Sequence, residues 1–302
     1  MPTVNRNDLV RGPAQVAFDS ITYQASGDVA LAIEIRQFEV QVGGAKADER
    51  IRDAIVRARF APSGKVEGLA SLYAVLALPL GSGLMTNTDK PAVITNTARA
   101  VTLPAAGITK PPVIRASNVQ SLFGEMEITG LTKNAVAFGT AASLLAHGAG
   151  GAPAGVATAD IKTAPWTIGG GNLGAALECE EGSVQIECTP TWQEYGTDSN
   201  GILQFFLTDC VFEARLIPVM GASTFLDAVK AALELTRGAS WADTGEDFVL
   251  TNGFITVTLN SANIAAAAAG QVINQNFARE VRIRATRTSS SAALGTVEVP
   301  SS

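Results

Sequence analysis

Histidine, the side chain most often used for acid and base catalysis near neutral pH, occurs once in this sequence, as His147. A single histidine rules out metal sites built from several histidines and argues against a Ser-His-Asp arrangement. His147 also lies in a stretch rich in alanine and glycine, which is typical of a connection between domains. We therefore predict that His147 is not catalytic.

Two other patterns could carry chemistry. The stretch GGGNLG at residues 169–174 resembles a phosphate-binding loop, but no Lys-Ser or Lys-Thr pair and no helical pattern follow it. We interpret it as a turn. The cysteines Cys179, Cys188 and Cys210 are odd in number and lack metal-type spacing, which favours small core side chains. With no paired carboxylates evident either, we predict no enzyme, no cofactor and no metal.

Composition excludes further classes of protein. The 302 residues carry a net charge of −6, without the basic tracts and aromatic platforms that grip nucleic acid. The most apolar run, residues 69–80, is shorter than the roughly 20 residues of a membrane-spanning helix. The first residues show no secretory signal. We expect a protein made in the cytoplasm, with no membrane partner.

One ten-residue stretch occurs twice in similar form. Residues 53–62 read DAIVRARFAP and residues 209–218 read DCVFEARLIP, a shift of 156. The same shift gives eight identities over the sixteen positions 93–108, where unrelated sequence would give about one. The identical charged and proline positions of the repeated stretch are Asp53 and Asp209, Arg59 and Arg215, and Pro62 and Pro218. The chain is thus predicted to hold two copies of one domain.

The boundary between the copies is expected at the alanine- and glycine-rich segment. We predict a first domain over residues 1–147, a linker over 148–165 and a second domain over 166–302. The copies differ in charge, because residues 1–151 hold 14 Lys and Arg against 12 Asp and Glu, whereas residues 152–302 hold 8 against 16.

A long strand opens each copy. In the first copy, apolar residues occupy odd positions from Val29 to Ile35 and even positions from Phe38 to Val42. Side chains in a strand alternate with a period of two, so this change of phase predicts a bulge or a sharp bend.

The strand continues into a polar turn and a return strand, which predicts a long projecting hairpin in each copy. Asp53 and Arg59 lie about 20 Å apart on the return strand, so each is expected to pair with a neighbouring strand or subunit. The tips are predicted to contact other subunits or rings, although local packing is an equal alternative for the tryptophan. The contact residues expected are Lys46, Asp48, Glu49, Arg50 and Arg52, and Trp192, Glu194, Tyr195 and Asp198.

Each repeated strand ends in proline and is followed by a helical pattern, at residues 67–78 and 223–235. Next comes a hairpin-like pair of strands around a Thr-Asn turn, at residues 93–103 and 249–259. The unit is therefore strand, long hairpin, helix, hairpin, strand. The predicted class is mainly β, with one helix per domain.

These elements carry a resemblance. A strand that opens with Gly27-Asp28-Val29, a charged hairpin with Asp-Glu-Arg at 48–50, and a return strand that closes in FAPSG at 60–64 together resemble the tail tube (major tail) proteins of long-tailed bacteriophages. The duplicated order resembles the members in which one chain carries two tail-tube-like domains, each a sandwich that contributes to a barrel.

The resemblance implies a structural virion protein of the viral tail. It implies homotrimers that form pseudo-hexameric rings, stack into a hollow tube and conduct DNA to the host without specific binding. A tape-measure protein would be the partner during assembly.

Two alternatives remain open. A tail terminator or a baseplate ring protein of the same ancestry would form a closed ring without polymerising. A carbohydrate-binding β-domain or an enzyme would need a concave site with converging polar groups, and the sequence offers no such cluster.

Overall fold

The computed structural model describes residues 14–42, 46–63, 68–84, 90–115, 123–131, 144–151, 165–170, 176–197, 201–218, 245–269 and 278–298. Only the backbone is described for residues 37–42, 46–53, 197, 201–202, 266–269 and 278–279. The predicted class is confirmed in its main point, because the described residues are mainly β-strand.

The described residues of the first half of the chain form ten strands and one α-helix. They are β1 (Gln15–Phe18), β2 (Ile21–Gln24), β3 (Ala30–Val42), β4 (Lys46–Phe60), α1 (Leu69–Leu72), β5 (Ala92–Thr95), β6 (Arg99–Leu103), β7 (Ala106–Lys110), β8 (Ile114–Arg115), β9 (Met126–Gly130) and β10 (Ala146–Ala149). Nine of these strands form two sheets, with strand orders β10-β6-β5-β1-β2 and β3-β4-β9-β7. All their pairings are antiparallel.

Eight strands lie in the second half. They are β11 (Thr167–Gly170), β12 (Leu177–Glu178), β13 (Gln185–Thr197), β14 (Gly201–Leu216), β15 (Glu246–Thr251), β16 (Thr256–Ala269), β17 (Ala278–Arg284) and β18 (Gly295–Glu298). The beginning of β16 pairs with β15 and β18, and its end pairs with β17. A continuous sheet therefore runs β12-β11-β15-β16-β17-β14-β13-β8.

The second half repeats the strand order of the first. The order β10-β6-β5-β1-β2 of the first half recurs as β18-β16-β15-β11-β12 in the second half. The order β3-β4-β9-β7 recurs as β13-β14-β17 followed by the end of β16. The one break in this correspondence has a chemical cause. Pro104 separates β6 from β7 because it has no N–H to donate, whereas at the equivalent position the N–H of Asn260 bonds the Leu294 carbonyl at 2.9 Å.

The two long hairpins also share their irregularities. The pairing of β3 with β4 shifts by one residue between Arg36 and Gln37, and that of β13 with β14 shifts between Thr191 and Trp192. These are equivalent positions in the two strands. A bulge therefore lies where the change of apolar phase after Ile35 predicted one, but its extra residue is Arg52 on β4, and in the second half it is Thr208 on β14.

The turns between the short strands close in the same way. The Asn96 side-chain oxygen accepts the backbone N–H groups of Ala98 and Arg99, at 2.9 and 2.7 Å. The Asn252 oxygen accepts those of Phe254 and Ile255, at 3.0 and 2.8 Å. Both asparagines are buried, so these bonds satisfy polar groups that would otherwise be unpaired. The predicted Thr-Asn hairpins are confirmed.

The first predicted helix is shorter than residues 67–78. Helix α1 spans four residues after Gly68, whose φ of 78° is left-handed, and a 3₁₀ helix (Ala74–Ala77) follows before Pro79. Left-handed backbone cannot continue a helix in the N-terminal direction, and proline restricts the residue before it to extended conformations. The second predicted helix, residues 223–235, lies outside the described residues.

The main buried core contains side chains from both halves, among them Phe60, Leu76, Ile186 and Phe212. The predicted linker is described only in part. Gly148 and Ala149 belong to strand β10, which pairs with β6, and residues 152–164 lie outside the described residues. Strand pairing thus extends two residues into the segment expected to be a linker.

Close packing makes Gly295 on β18 a sensitive position. A Cβ atom there would lie 2.0 Å from the Thr258 carbonyl oxygen and 2.7 Å from the Phe212 ring. We expect Gly295→Ala to lower the free energy of unfolding by about 1–3 kcal/mol, the usual cost of overpacking. Gly148→Ala on β10, with nothing within 4 Å of the added methyl, is the control and should change it by less than about 0.5 kcal/mol. Urea titration of both variants measures the difference, and equal stabilities would contradict this packing.

The three cysteines are buried free thiols, which confirms their prediction as core side chains. Burial raises the pKa of the Cys179 thiol from 9.0 to about 12. The folded protein therefore keeps this proton over a range in which the unfolded chain loses it, so stability falls as the pH rises from 9 towards 12.

For one such group the slope is about 1.4 kcal/mol per pH unit. We expect Cys179→Ala to reduce the loss of stability between pH 9 and 11, as measured by urea unfolding at each pH. Parallel stability curves for the variant and the unaltered protein would show that Cys179 does not titrate in this way.

Candidate assembly surface

The groups first considered for chemistry do not converge. His147 is exposed on β10, where its backbone pairs with Val101. Gly169 and Gly170 end strand β11, and residues 171–174 lie outside the described residues. Within the described ranges, no three His, Cys, Asp or Glu side chains lie together as a metal site would require. No helix in the same ranges has the length and apolar character needed to cross a membrane.

A small groove beside α1 is mainly apolar. Its polar members include Lys90 and Asp19, which pair with each other at 2.5 Å. The two charges compensate each other, so this groove presents an ion pair and no single uncompensated charge.

The repeated Arg59 and Arg215 pair within the sheets. Arg59 on β4 bonds Glu127 on the neighbouring strand β9 at 2.8 Å, as expected. Arg215 instead bonds Glu213 of its own strand at 2.9 Å. The side-chain oxygen of Asp209 accepts the N–H of Cys210 at 2.8 Å. A cross-strand partner is thus confirmed for Arg59, whereas the described partner of Arg215 lies two residues away on the same face of its own strand.

Pro62 and Pro218 follow the repeated strands and make equivalent contacts. Pro62 forms an isolated bridge with Ala25, and Pro218 forms one with Cys179. The side chain of Asp53 is outside the described part of the structure.

One face of the sheet β3-β4-β9-β7 carries linked charges. Arg57 reaches Glu34 on β3 at 2.8 Å and Glu127 on β9 at 3.6 Å. Hydrogen bonds from Arg57 and then Arg36 hold the pKa of the Glu34 carboxyl below its usual value. The hydrogen bond to Glu127 raises the pKa of the Arg59 guanidinium. The described charges of Glu34, Arg36, Arg57, Arg59 and Glu127 therefore each lie next to an opposite charge.

On the equivalent face of the second half, one pair of opposite charges has its signs exchanged, while Arg215 keeps the sign of Arg59 and pairs in register with Arg282. Glu213 on β14 stands where Arg57 stands on β4, and Arg282 on β17 stands where Glu127 stands on β9. Arg282 lies 3.8 Å from Glu213. Opposite charges thus meet across the same pair of strands in both halves.

The two halves join at the edge of β13. Ile186 on β13 pairs with Ile114 on β8 of the first half. Further along β13, the indole N–H of Trp192 donates to the Thr109 carbonyl of β7 at 2.8 Å. The β7 edge of the first half therefore lies beside the β13 edge of the second half.

The described part of the second hairpin beyond its bulge, residues 192–197 and 201–207, forms an arm that lies on the first half. Its Leu207 N–H donates to the Ser82 carbonyl at 2.9 Å, and its Phe205 carbonyl accepts the Leu84 N–H at 2.7 Å. Phe205 is buried with Ile55, Ala105 and Leu131 in a small cluster separate from the main core. The arm is held by backbone bonds and by apolar packing.

A charged pair adds to this junction. Both outer nitrogens of Arg36 bond Glu194 of the arm, at 2.6 and 2.9 Å. This bond, more than that to Glu34, raises the pKa of the Arg36 guanidinium. Both side chains are about one-third exposed, so we expect a contribution of no more than about 1 kcal/mol.

A comparison with protein-family models finds no match, and neither does a comparison with curated proteins.

The contact residues expected from the sequence have different environments. Trp192 and Glu194 contact the first half of their own chain, so the alternative of local packing is correct for Trp192. Tyr195 is 53% exposed and lies edge-on to Phe206, with ring centres 5.9 Å apart. The side chains of Lys46, Asp48, Glu49, Arg50 and Arg52, and all of Asp198, are outside the described part.

Sequence reasoning missed Arg36, Thr109 and Phe205 as contacts between the halves. Phe205 carried a usable signal, because it replaces the charged Glu49 at the equivalent position of the first hairpin. A large apolar residue at a projecting tip indicates a surface that is covered.

Two aromatic residues of the arm allow a matched test of the junction. Trp192→Phe removes the hydrogen bond to Thr109, and we expect it to lower the free energy of unfolding by about 1–2 kcal/mol. Tyr195→Phe keeps the exposed ring against Phe206 and should leave stability within about 0.5 kcal/mol. Urea unfolding measures both. Equal effects would show that the Trp192 contact does not stabilise the junction.

Proposed function

We propose that this chain is a structural subunit of a viral tail tube. In this proposal three copies close a ring of six similar modules, and the rings stack into a hollow tube that conducts DNA. The two modules are the halves of the chain, derived from one ancestral tail-tube-like domain. The protein acts as a building element of the virion tail and not as an enzyme.

The observation that carries the proposal is the match between the halves. They share strand order, the position of the hairpin bulge, and a second bulge that follows Ile108 on β7 and Ile264 on β16. Register and bulges are local details that unrelated β-proteins have no reason to share. This match, together with the eight identities over residues 93–108, supports duplication.

The way in which the halves meet supports a ring. The β7 edge of the first half meets the β13 edge of the second, so two different surfaces are in contact. A contact of this head-to-tail kind generates a ring when its rotation closes, and an open filament when it does not. Six modules from three chains would close such a ring without leaving free edges.

The charged face of each sheet suits a channel. The opposite face of the first sheet is buried in the core at Val56 and Ala58, so we assign the charged face to the lumen. The pairing of Arg57 and Arg59 with carboxylates reduces their attraction for phosphate. DNA could then pass without specific binding, and a tape-measure protein could occupy the same channel during assembly.

Electron microscopy of the purified protein over a range of concentrations tests the proposal. We expect rings with threefold symmetry and six similar lobes, and tubes built from them as the concentration rises. Analytical ultracentrifugation of the same samples should show trimers or multiples of three.

The outcomes separate the alternatives. Isolated rings at every concentration would overturn the tube role in favour of a tail terminator or baseplate ring. A monomer at every concentration would overturn ring formation altogether, and measurable sugar binding by that monomer would favour a carbohydrate-binding domain.

A further inference from the structure

Strand β3 exposes an apolar row. Leu31, Ile33 and Ile35 are 40%, 56% and 53% exposed, although they lie on the same face as the buried Val56 and Ala58. In the described part of the chain, β3 pairs with β4 along one side only. Its other edge is open. An open strand edge with exposed aliphatic side chains is a site of association.

The equivalent row in the second half is covered. Ile186 and Cys188 stand at the positions of Leu31 and Ile33, and they are 0% and 1% exposed. The cover comes from the first half, since β8 pairs with β13 at Ile186 and both halves contribute to the core around it. The covered edge of β13 is therefore a model within the same chain for how the edge of β3 could be covered.

A second open edge belongs to the other half. Residues 262–266 of β16 correspond to β7, and residues 264–269 pair, among the described strands, only with β17. In the first half, the edge of β7 is covered because it lies beside β13 of the second half. In the described part of one chain, the edges of β7 and β13 cover each other. The equivalent edges, at residues 264–269 of β16 and at β3, are both open.

We propose that the apolar row of β3 is covered by the second half of another copy of this chain, with residues 264–269 of that copy lying beside β3. The inference rests on the proposed ring and assigns its joint between chains. The joint between copies has the same arrangement as the joint between the halves within a chain.

The two kinds of joint differ in chemistry at the arm. The positions of Trp192, Glu194 and Phe205 are taken in the first hairpin by Gln37, Glu39 and Glu49. The position of Arg36 is taken in the second half by Thr191, so the joint between chains lacks the ion pair of the joint within a chain.

This difference has a physical reason. The arm of the second half is covered as soon as the chain folds, and it can be apolar. In the proposed ring, the arm of the first half finds its partner surface only on another copy, and polar residues limit association with wrong partners before that copy binds. The apolar row of β3 is then the main attractive surface of the joint between chains.

Cysteine labelling tests this assignment on the assembled protein. In the variant Ile33→Cys we expect a maleimide to label the new thiol in the monomer fraction and not in the ring fraction. The native cysteines are buried and contribute little. Ala32→Cys is the control, because residue 32 is exposed on the charged face and should be labelled in both fractions.

A charge on each face gives a second, independent measurement. Ile33→Asp would bury an unpaired carboxylate in the joint, and we expect association to weaken at least about 100-fold. Ala32→Asp places the same charge opposite Arg57 on the other face and should assemble normally. Circular dichroism of both variants confirms that the monomer is folded.

Failure of this inference can be told apart from failure of the proposed function. Rings in which the thiol at position 33 is labelled as fast as in the monomer, or unweakened assembly of a folded Ile33→Asp variant, would overturn the assignment and leave the ring in place. Absence of any ring in the unaltered protein would overturn the ring itself.

Discussion

Unpaired strand edges are the constraint on which this structure depends. A sheet that ends at an open edge exposes backbone donors and acceptors and invites pairing with other chains. In the described part of this chain, the edges of β7 and β13 cover each other. There the Trp192 indole N–H donates to the Thr109 carbonyl. The hairpin arm then packs on the first half. The junction therefore combines backbone hydrogen bonds, aromatic packing and the Arg36–Glu194 ion pair.

The hairpin bulge makes this junction possible. Before the bulge, the strand β13 contributes Ile186 and Cys188 to the core, and after it the same strand contributes Trp192 to the junction. The extra residue of this bulge is Thr208 on β14, so the even-numbered side chains of β13 keep one face from Ile186 to Trp192, while the bulge bends the hairpin and increases its local twist. One long strand can therefore serve a core and a contact with a neighbouring module.

One cross-strand pair of opposite charges is present in both halves with its signs exchanged. Arg57 beside Glu127 in the first half becomes Glu213 beside Arg282 in the second. Like charges across neighbouring strands repel, so a change of sign on one strand favours a matching change on the other. The second half is more acidic than the first by sequence, yet Arg282 still lies next to Glu213 on this face.

The sequence alone determined the features that depend on neighbours along the chain. The period of two in β3 indicated the bulge after Ile35, and the Thr-Asn pairs indicated the turns at Asn96 and Asn252, because strand alternation and side-chain turns are local effects. The tertiary structure decided which faces are covered. Alternation placed Leu31, Ile33 and Ile35 on one face, but only the fold shows that this row is exposed while Ile186 and Cys188 are buried. The partner of Trp192 lies 83 residues away, and such contacts depend on how whole sheets pack.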